Sequence, residues 1–130
     1  MKSKLETPVL REPFREFLDE LFDKTSINET YLYKPIHMSP HTFKKVLRGD
    51  ESPGSRDRVL INCIVQIRSS YEDAIISAKE FRDLMRHLRR VGGDTIIVAS
   101  KYPTEDLNDF LDRAYHHSCQ RFRSQPLSKD

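Results

Sequence analysis

Residues 28–49 read NETYLYKPIHMSPHTFKKVLRG, and this stretch decides the fold that we predict. It divides into two short predicted helices joined by a tight turn. Ser39 is a natural N-cap residue and Pro40 suits the first position of a helix, so the second helix is predicted to begin there. Asn28 has the same capping chemistry, and we expect the first helix to begin at Glu29.

The second predicted helix, residues 39–48, has two distinct faces. Phe43 and Val46 have the spacing of an apolar face that packs onto Leu32 and Met38 between the two helices. Polar and cationic side chains occupy the other face, namely those of His41, Lys44, Lys45 and Arg48. The helix therefore has one face for a core and one for a nucleic-acid groove.

Positive charge is concentrated around this stretch. The chain of 130 residues has a formal net charge of only +2, but residues 34–68 hold seven basic and three acidic side chains. A run of cations is often no more than a solvated helix face. Here, the excess lies where a surface facing phosphates would need it.

Residues 38–67, MSPHTFKKVLRGDESPGSRDRVLINCIVQI, resemble the phage-repressor helix-turn-helix family of lambda repressor, Cro and Xre-type regulators. The resemblance covers roughly residues 14–67, and it includes the closing Leu-x-Gly of residues 47–49 and the turn at Pro53. It implies a mainly α helix-turn-helix bundle whose second motif helix lies in the major groove, with dimers reading paired half-sites. By position, it implies DNA-binding roles for Ser39, Pro40, His41, Lys44, Lys45 and Arg48.

Four residues depart from the family pattern, all in the first motif helix and the turn. His37 replaces the usual glycine of the turn and would have to adopt a left-handed conformation. Tyr33 replaces a small residue, and Pro35 should shorten or kink the helix. Glu29 stands where the family favours a glutamine at a phosphate, which an acid would repel. We therefore expect a regular second helix on an irregular first one.

The residue types on the cationic face indicate how each would contact DNA. Arg48 or Lys45 can donate to O6 and N7 of guanine, and only arginine has the bidentate geometry. His41 can donate to an acceptor on a base edge, whereas lysines more often bind phosphates and position the protein. The alternative is a cationic face that is merely solvated, on a fold used for protein contact.

The flanking segments are predicted to be mostly helical. An apolar stripe predicts a helix over residues 13–24. Residues 59–67 are apolar on most sides, which indicates a central buried helix, with a buried strand as the alternative. A Ser-x-x-Asp start predicts a further helix over residues 70–91, ended by Gly92 and Gly93.

The last third of the chain contains a short predicted strand and a final helix. Residues 95–99 are rich in β-branched side chains and are predicted to form one strand. A lone strand needs a partner, and we find no second strand in the chain. The alternatives are a strand that pairs across a dimer, a helix, or a buried extended loop. A final helix is predicted to begin at Thr104. Its apolar face consists of Leu107, Phe110, Leu111, Ala114, Tyr115, Cys119 and Phe122.

We divide the chain into a helix-turn-helix DNA-binding domain over residues 11–68 and a helical dimerisation or effector segment over residues 69–124. The helix 70–91 carries an apolar stripe that either packs into its own domain or forms a self-association seam. The stripe consists of Ala74, Ala78, Phe81, Met85 and Leu88, with Leu84 and Val91 beside them.

The cysteine and histidine residues do not indicate catalysis or metal binding. His116, His117 and Cys119 lack a second ligand pair, and Cys63 lies in the most apolar run, where thiols are usually inert. Motifs for nucleotide binding or an activated serine are absent from the sequence. We therefore expect that the protein is not an enzyme and binds no cofactor. We also expect a cytoplasmic protein without a membrane span, in which both cysteines are reduced.

Together, these features predict a sequence-specific, double-stranded DNA-binding transcription regulator of the phage or mobile-element type. It would act as a homodimer through its C-terminal helices. The alternative is an interaction module that keeps the helix-turn-helix fold and sequesters another regulatory protein. Binding of RNA or single strands is less favoured, because Tyr31 and Tyr33 are the only aromatic residues near the cations.

Overall fold

A computed structural model of the chain describes residues 11–50 and 52–114. These residues are mainly helical and contain no strand, which confirms the mainly α fold class. The helices are α1 (Arg11–Lys24), α2 (Glu29–Tyr33), α3 (Pro40–Arg48), α4 (Pro53–Glu72), α5 (Ala78–Gly92), α6 (Asp94–Ala99) and α7 (residues 104–114). None of them has the length and apolar character that crossing a membrane requires.

The long helix α4 lies at the centre of the core. Its apolar run, residues 59–67, is helical, so the buried-helix interpretation is confirmed and the strand alternative is wrong. Leu60, Ile64 and Ile67 are fully buried, and α2, α3, α5 and α6 all pack against this helix. A 20-residue helix with apolar residues around most of its circumference can contact several neighbours at once.

The predicted helix 70–91 is in fact two helices. α4 continues to Glu72, Ala74 takes a left-handed conformation with φ 60°, and α5 begins after Ser77. The reciprocal capping box is formed by Ser77 and Glu80, whose side chains each accept a hydrogen bond from the other's backbone N–H. The predicted start at Ser70 was wrong, because that serine is buried within α4.

The predicted strand at residues 95–99 was also wrong, since these residues form most of α6. Gly93 ends α5 with φ 61°, and the chain turns directly into the new helix. Ile96 and Ala99, three positions apart, are buried, as one face of a helix requires. Gly92 is needed at this junction, because a Cβ there would overlap the side chain of Ile96.

The apolar stripe of α5 packs into the chain's own core. Leu84, Met85, Leu88 and Val91 are buried, and α5 lies against α1 and α4. Of the seven stripe residues, Ala78 is exposed and Ala74 lies outside the helix. Own-domain packing is therefore the interpretation that holds, and this stripe does not form an exposed seam.

One core spans the expected division between residues 11–68 and 69–124. That division falls inside α4, and a single cluster of buried side chains includes residues of all the helices from α1 to α7. Hydrogen bonds also connect the two sides of this division, because the guanidinium of Arg68 donates to the carbonyls of Tyr102 (2.8 Å) and Ser100 (3.1 Å). The connection between α6 and α7 is thereby fixed to α4.

Candidate nucleic-acid interface

The first helix of the candidate site, α2, is short, as Pro35 predicts. Asn28 caps it by accepting a hydrogen bond from the Thr30 N–H at 3.0 Å, and the helix ends at Tyr33. Tyr33 is half-buried, and its ring lies 5.4 Å from that of Phe43 on α3. The large side chain is thus accommodated by packing onto the second helix.

The turn between α2 and α3 depends on one left-handed residue. His37 has φ 58°, so the prediction that it takes the conformation usually left to glycine is confirmed. Its N–H donates to the Lys34 carbonyl at 3.0 Å, and the Met38 N–H donates to the Tyr33 carbonyl at 3.0 Å. These two bonds close the turn.

Side chains from α4 hold this irregular segment in place. The amide of Asn62 donates to the carbonyls of Tyr31 (3.0 Å) and Leu32 (3.1 Å), which α2 is too short to satisfy internally. Gln66 donates to the Asn62 amide oxygen at 3.3 Å. Asn62 is almost fully buried. Its supporting role was not among our predictions, although an asparagine inside the most apolar run of the sequence is a signal for one.

Arg58 anchors the turn from the same helix. Its guanidinium donates to the Ile36 carbonyl at 3.2 Å, and burial lowers the pKa of this side chain. A cation from the basic segment is therefore used to support the fold. Arg68 likewise supports the fold through the carbonyls of Tyr102 and Ser100. The seven basic residues counted in residues 34–68 therefore overstate the positive charge on the surface.

The second helix, α3, is capped at both ends by its own sequence. The Ser39 hydroxyl accepts a hydrogen bond from the Thr42 N–H at 3.1 Å, and Pro40 is the first helical residue. Gly49 ends the helix with φ 80°, and the next N–H, of Asp50, donates to the Lys45 carbonyl at 2.8 Å. These are the boundaries that the sequence predicted.

The apolar face of α3 is buried as predicted. Phe43 and Val46 are fully buried, together with Leu32 of α2 and with Met38 of the turn. Because this face is fixed in the core, the orientation of the opposite face is fixed as well. The side chains on that opposite face are therefore presented to solvent by a rigid support.

The predicted site residues lie on the outer surface of α3 and its cap. Lys45 is half-buried and the other five are exposed, namely Ser39, Pro40, His41, Lys44 and Arg48. No acidic residue occurs in α3. Within residues 11–50 and 52–114, neither Lys44 nor Lys45 has a carboxylate at ion-pairing distance.

Arg48 differs from the two lysines because it already has an acidic neighbour. Its Nε lies 3.1 Å from Oδ2 of Asp50, and both side chains are about half exposed. An exposed ion pair of this kind contributes only about 0–1 kcal/mol, so it can be broken at small cost. Arg48 would have to leave Asp50 before its guanidinium could contact DNA.

The remaining candidates for chemistry offer no site within the described part of the chain. Cys63 is fully buried, and burial raises the pKa of its thiol to about 12, so it is protonated at neutral pH. Residues 11–50 and 52–114 contain no group of three side chains suited to hold a metal ion. His116, His117 and Cys119 lie outside the described residues.

No protein-family model, curated protein or solved structure matches the chain. The resemblance to phage repressors therefore rests on the residues of this sequence alone.

Proposed function

We propose that this chain is a double-stranded DNA-binding transcription regulator that places α3 in the major groove. The observation that carries this proposal is the outer face of α3. It is held rigidly by a buried apolar face, contains no acid, and presents lysines without carboxylate partners among the described residues. A groove between two rows of phosphates is a surface complementary to such a helix.

Each residue on this face has a distinct proposed role. Lys44 and Lys45 bind phosphates and set the position of the helix. His41 lies in the first turn of α3, from which side chains reach base edges in this docking geometry. Arg48 contributes base contacts after it exchanges Asp50 for a guanine, which its bidentate geometry suits.

The wider proposal is a cytoplasmic regulator of the phage or mobile-element type, acting as a homodimer on paired half-sites. Two copies would double both the phosphate contacts and the length of sequence that is read. The alternative function, an interaction module that sequesters another regulator, makes the opposite prediction for DNA. Such a module would show no salt-dependent affinity for duplexes.

The test compares two charge-matched double variants in a titration with duplex DNA at several salt concentrations. Lys44→Ala/Lys45→Ala should weaken binding to all sequences, because each phosphate contact contributes about 0.9 to the slope of log K against log salt. We expect the slope of this variant to fall by about 1.8 if both lysines bind phosphates.

The control is Lys79→Ala/Lys101→Ala, which removes the same charge from exposed positions outside α2 and α3. Its slope should remain close to that of the parent chain. If the slope fell equally in both double variants, binding would follow net charge alone, and the proposed role of α3 would be overturned. Absence of duplex binding by the parent chain at low salt would overturn the function itself.

A further inference from the structure

A cluster of apolar side chains on α6, α7 and their connection is exposed. Ile97 is 44% exposed, Val98 52%, Tyr102 51% and Phe110 41%. Single exposed apolar residues are ordinary, but several within one short segment mark an interaction surface. We refer to these four residues as the α6–α7 face.

A groove of about 670 Å³ lies between α4, α6 and α7, beside three of these four side chains. Val98, Tyr102 and Phe110 belong to its lining and also project into solvent, while Ile61 and Leu107 contribute to its walls. The surface therefore offers both a cavity for an apolar side chain and protruding side chains of the size that would enter it. Such a surface can be complementary to itself.

Charged groups at the same groove are also self-complementary. Asp94, Asp106 and Arg113 line it, and within the described part of the chain none of the three forms an ion pair. In a two-fold interface, residue i of one copy contacts residue j of the other and j contacts i, so an acid and a base on opposite sides of the axis form two equivalent ion pairs. Arg113 of one copy would then lie near Asp94 or Asp106 of the second copy.

We propose that the α6–α7 face is where a second copy of this chain binds, with Phe110 of each copy entering the groove of the other. Self-association was one of two interpretations of the apolar stripe of α5, and the structure buries that stripe. The α6–α7 face takes that role instead. The proposal does not depend on DNA binding and can be tested without DNA.

A small apolar ligand would explain less of this surface. It would occupy the groove but leave Ile97 exposed, because that side chain does not belong to the groove lining. It would also leave the opposite charges of Asp106 and Arg113 without partners, unless the ligand carried both. A second copy covers the exposed residues and pairs the charges at once.

The first measurement is the mass of the full chain by light scattering over a range of protein concentrations. We expect a mass near twice 15.3 kDa. Arg113→Asp should raise the dissociation constant about 100-fold or more, because it juxtaposes like charges across the interface, which costs several kcal/mol. Asp94→Arg/Asp106→Arg should have the same effect for the same reason.

The decisive step mixes these two variants in equal amounts, which restores opposite charges in a heterodimer only. We expect the mixture to regain the dimer mass, while Arg82→Asp, an exposed position on α5, keeps it throughout. All the altered side chains are exposed, and circular dichroism verifies that the variants stay folded. A monomeric parent, a dimer that survives Arg113→Asp, or a mixture that stays monomeric would each overturn the proposal.

Discussion

The two helices of the candidate interface are joined by one turn, yet they form for different reasons. α3 has a side-chain cap, a proline at its first position and a left-handed glycine at its end, all within residues 39–49. α2 has only five residues, far fewer than an isolated helix needs, and its carbonyls are bonded by Asn62 from α4. One helix is specified locally, and the other depends on a distant part of the chain.

This difference assigns separate tasks to the two elements. α3 carries the exposed cations, and its regularity fixes their spacing along the surface. α2 and the turn, together with α4, set how α3 lies on the core. Substitutions in α4 should therefore change how α3 is oriented on the core, although the solvent-facing residues of α3 stay the same.

The largest effect is expected from Asn62→Leu, which keeps the size of the side chain but removes its donors. The carbonyls of Tyr31 and Leu32 would lose their partners inside the protein. We expect a loss of about 2–3 kcal/mol in the free energy of unfolding, since an unpaired buried acceptor costs about 1–3 kcal/mol. Urea unfolding measures this loss, and hydrogen exchange should accelerate in α2 more than in α3.

Gln66→Leu is the matched control for that substitution. It removes only the half-buried hydrogen bond to the Asn62 amide oxygen, so we expect a loss below about 1 kcal/mol. If Asn62→Leu lowered the free energy of unfolding no more than Gln66→Leu does, the claim that α2 depends on α4 would be wrong. Equal acceleration of exchange in α2 and α3 would contradict the contrast between the two helices.

A smaller effect is expected at the end of α3, from Gly49→Ala. This glycine has φ 80° and open space around it, so the cost is conformational alone, about 1–2 kcal/mol. Gly54→Ala is the control: it lies in the first turn of α4, where alanine should stabilise the chain by about 0.4–1 kcal/mol. The same urea titrations measure both, and a Gly49→Ala variant as stable as the parent chain would refute the local specification of the α3 stop.

Sequence patterns were sufficient wherever an element is specified locally. The bounds of α3 and the early end of α2 before Pro35 follow from the residues at those positions. The buried helix over residues 59–67 followed from its apolar run. In each case, the physical cause lies within a few residues of its effect.

The patterns failed where two local signals compete. Residues 70–80 contain both a Ser-x-x-Asp and a Ser-x-x-Glu start, and only the second caps a helix. Residues 95–99 have the β-branched composition of a strand, but burial of Ile96 and Ala99 on one face favours a helix. Tertiary packing decides both cases, and it is not encoded in either segment alone.

The sequence predicted which residues of the candidate site are on the surface, but it did not predict the side chains that hold α2 and the turn in place. The six residues assigned to DNA contact do lie on the outer surface of α3 and its cap. By contrast, the roles of Arg58 and Asn62 depend on contacts that span 22 to 31 positions along the chain. Because of these contacts, a charged and a polar side chain that the sequence alone would place at the surface instead support the fold.

The most direct test of the account is to map where duplex DNA contacts the isotope-labelled chain by nuclear magnetic resonance, using a short duplex of mixed sequence at low salt. We predict the largest amide shifts at His41, Lys44 and Lys45 on α3, with the α6–α7 face unaffected. Shifts confined to the α6–α7 face, or no shifts at any duplex concentration, would contradict the assignment of α3 as a DNA-binding helix.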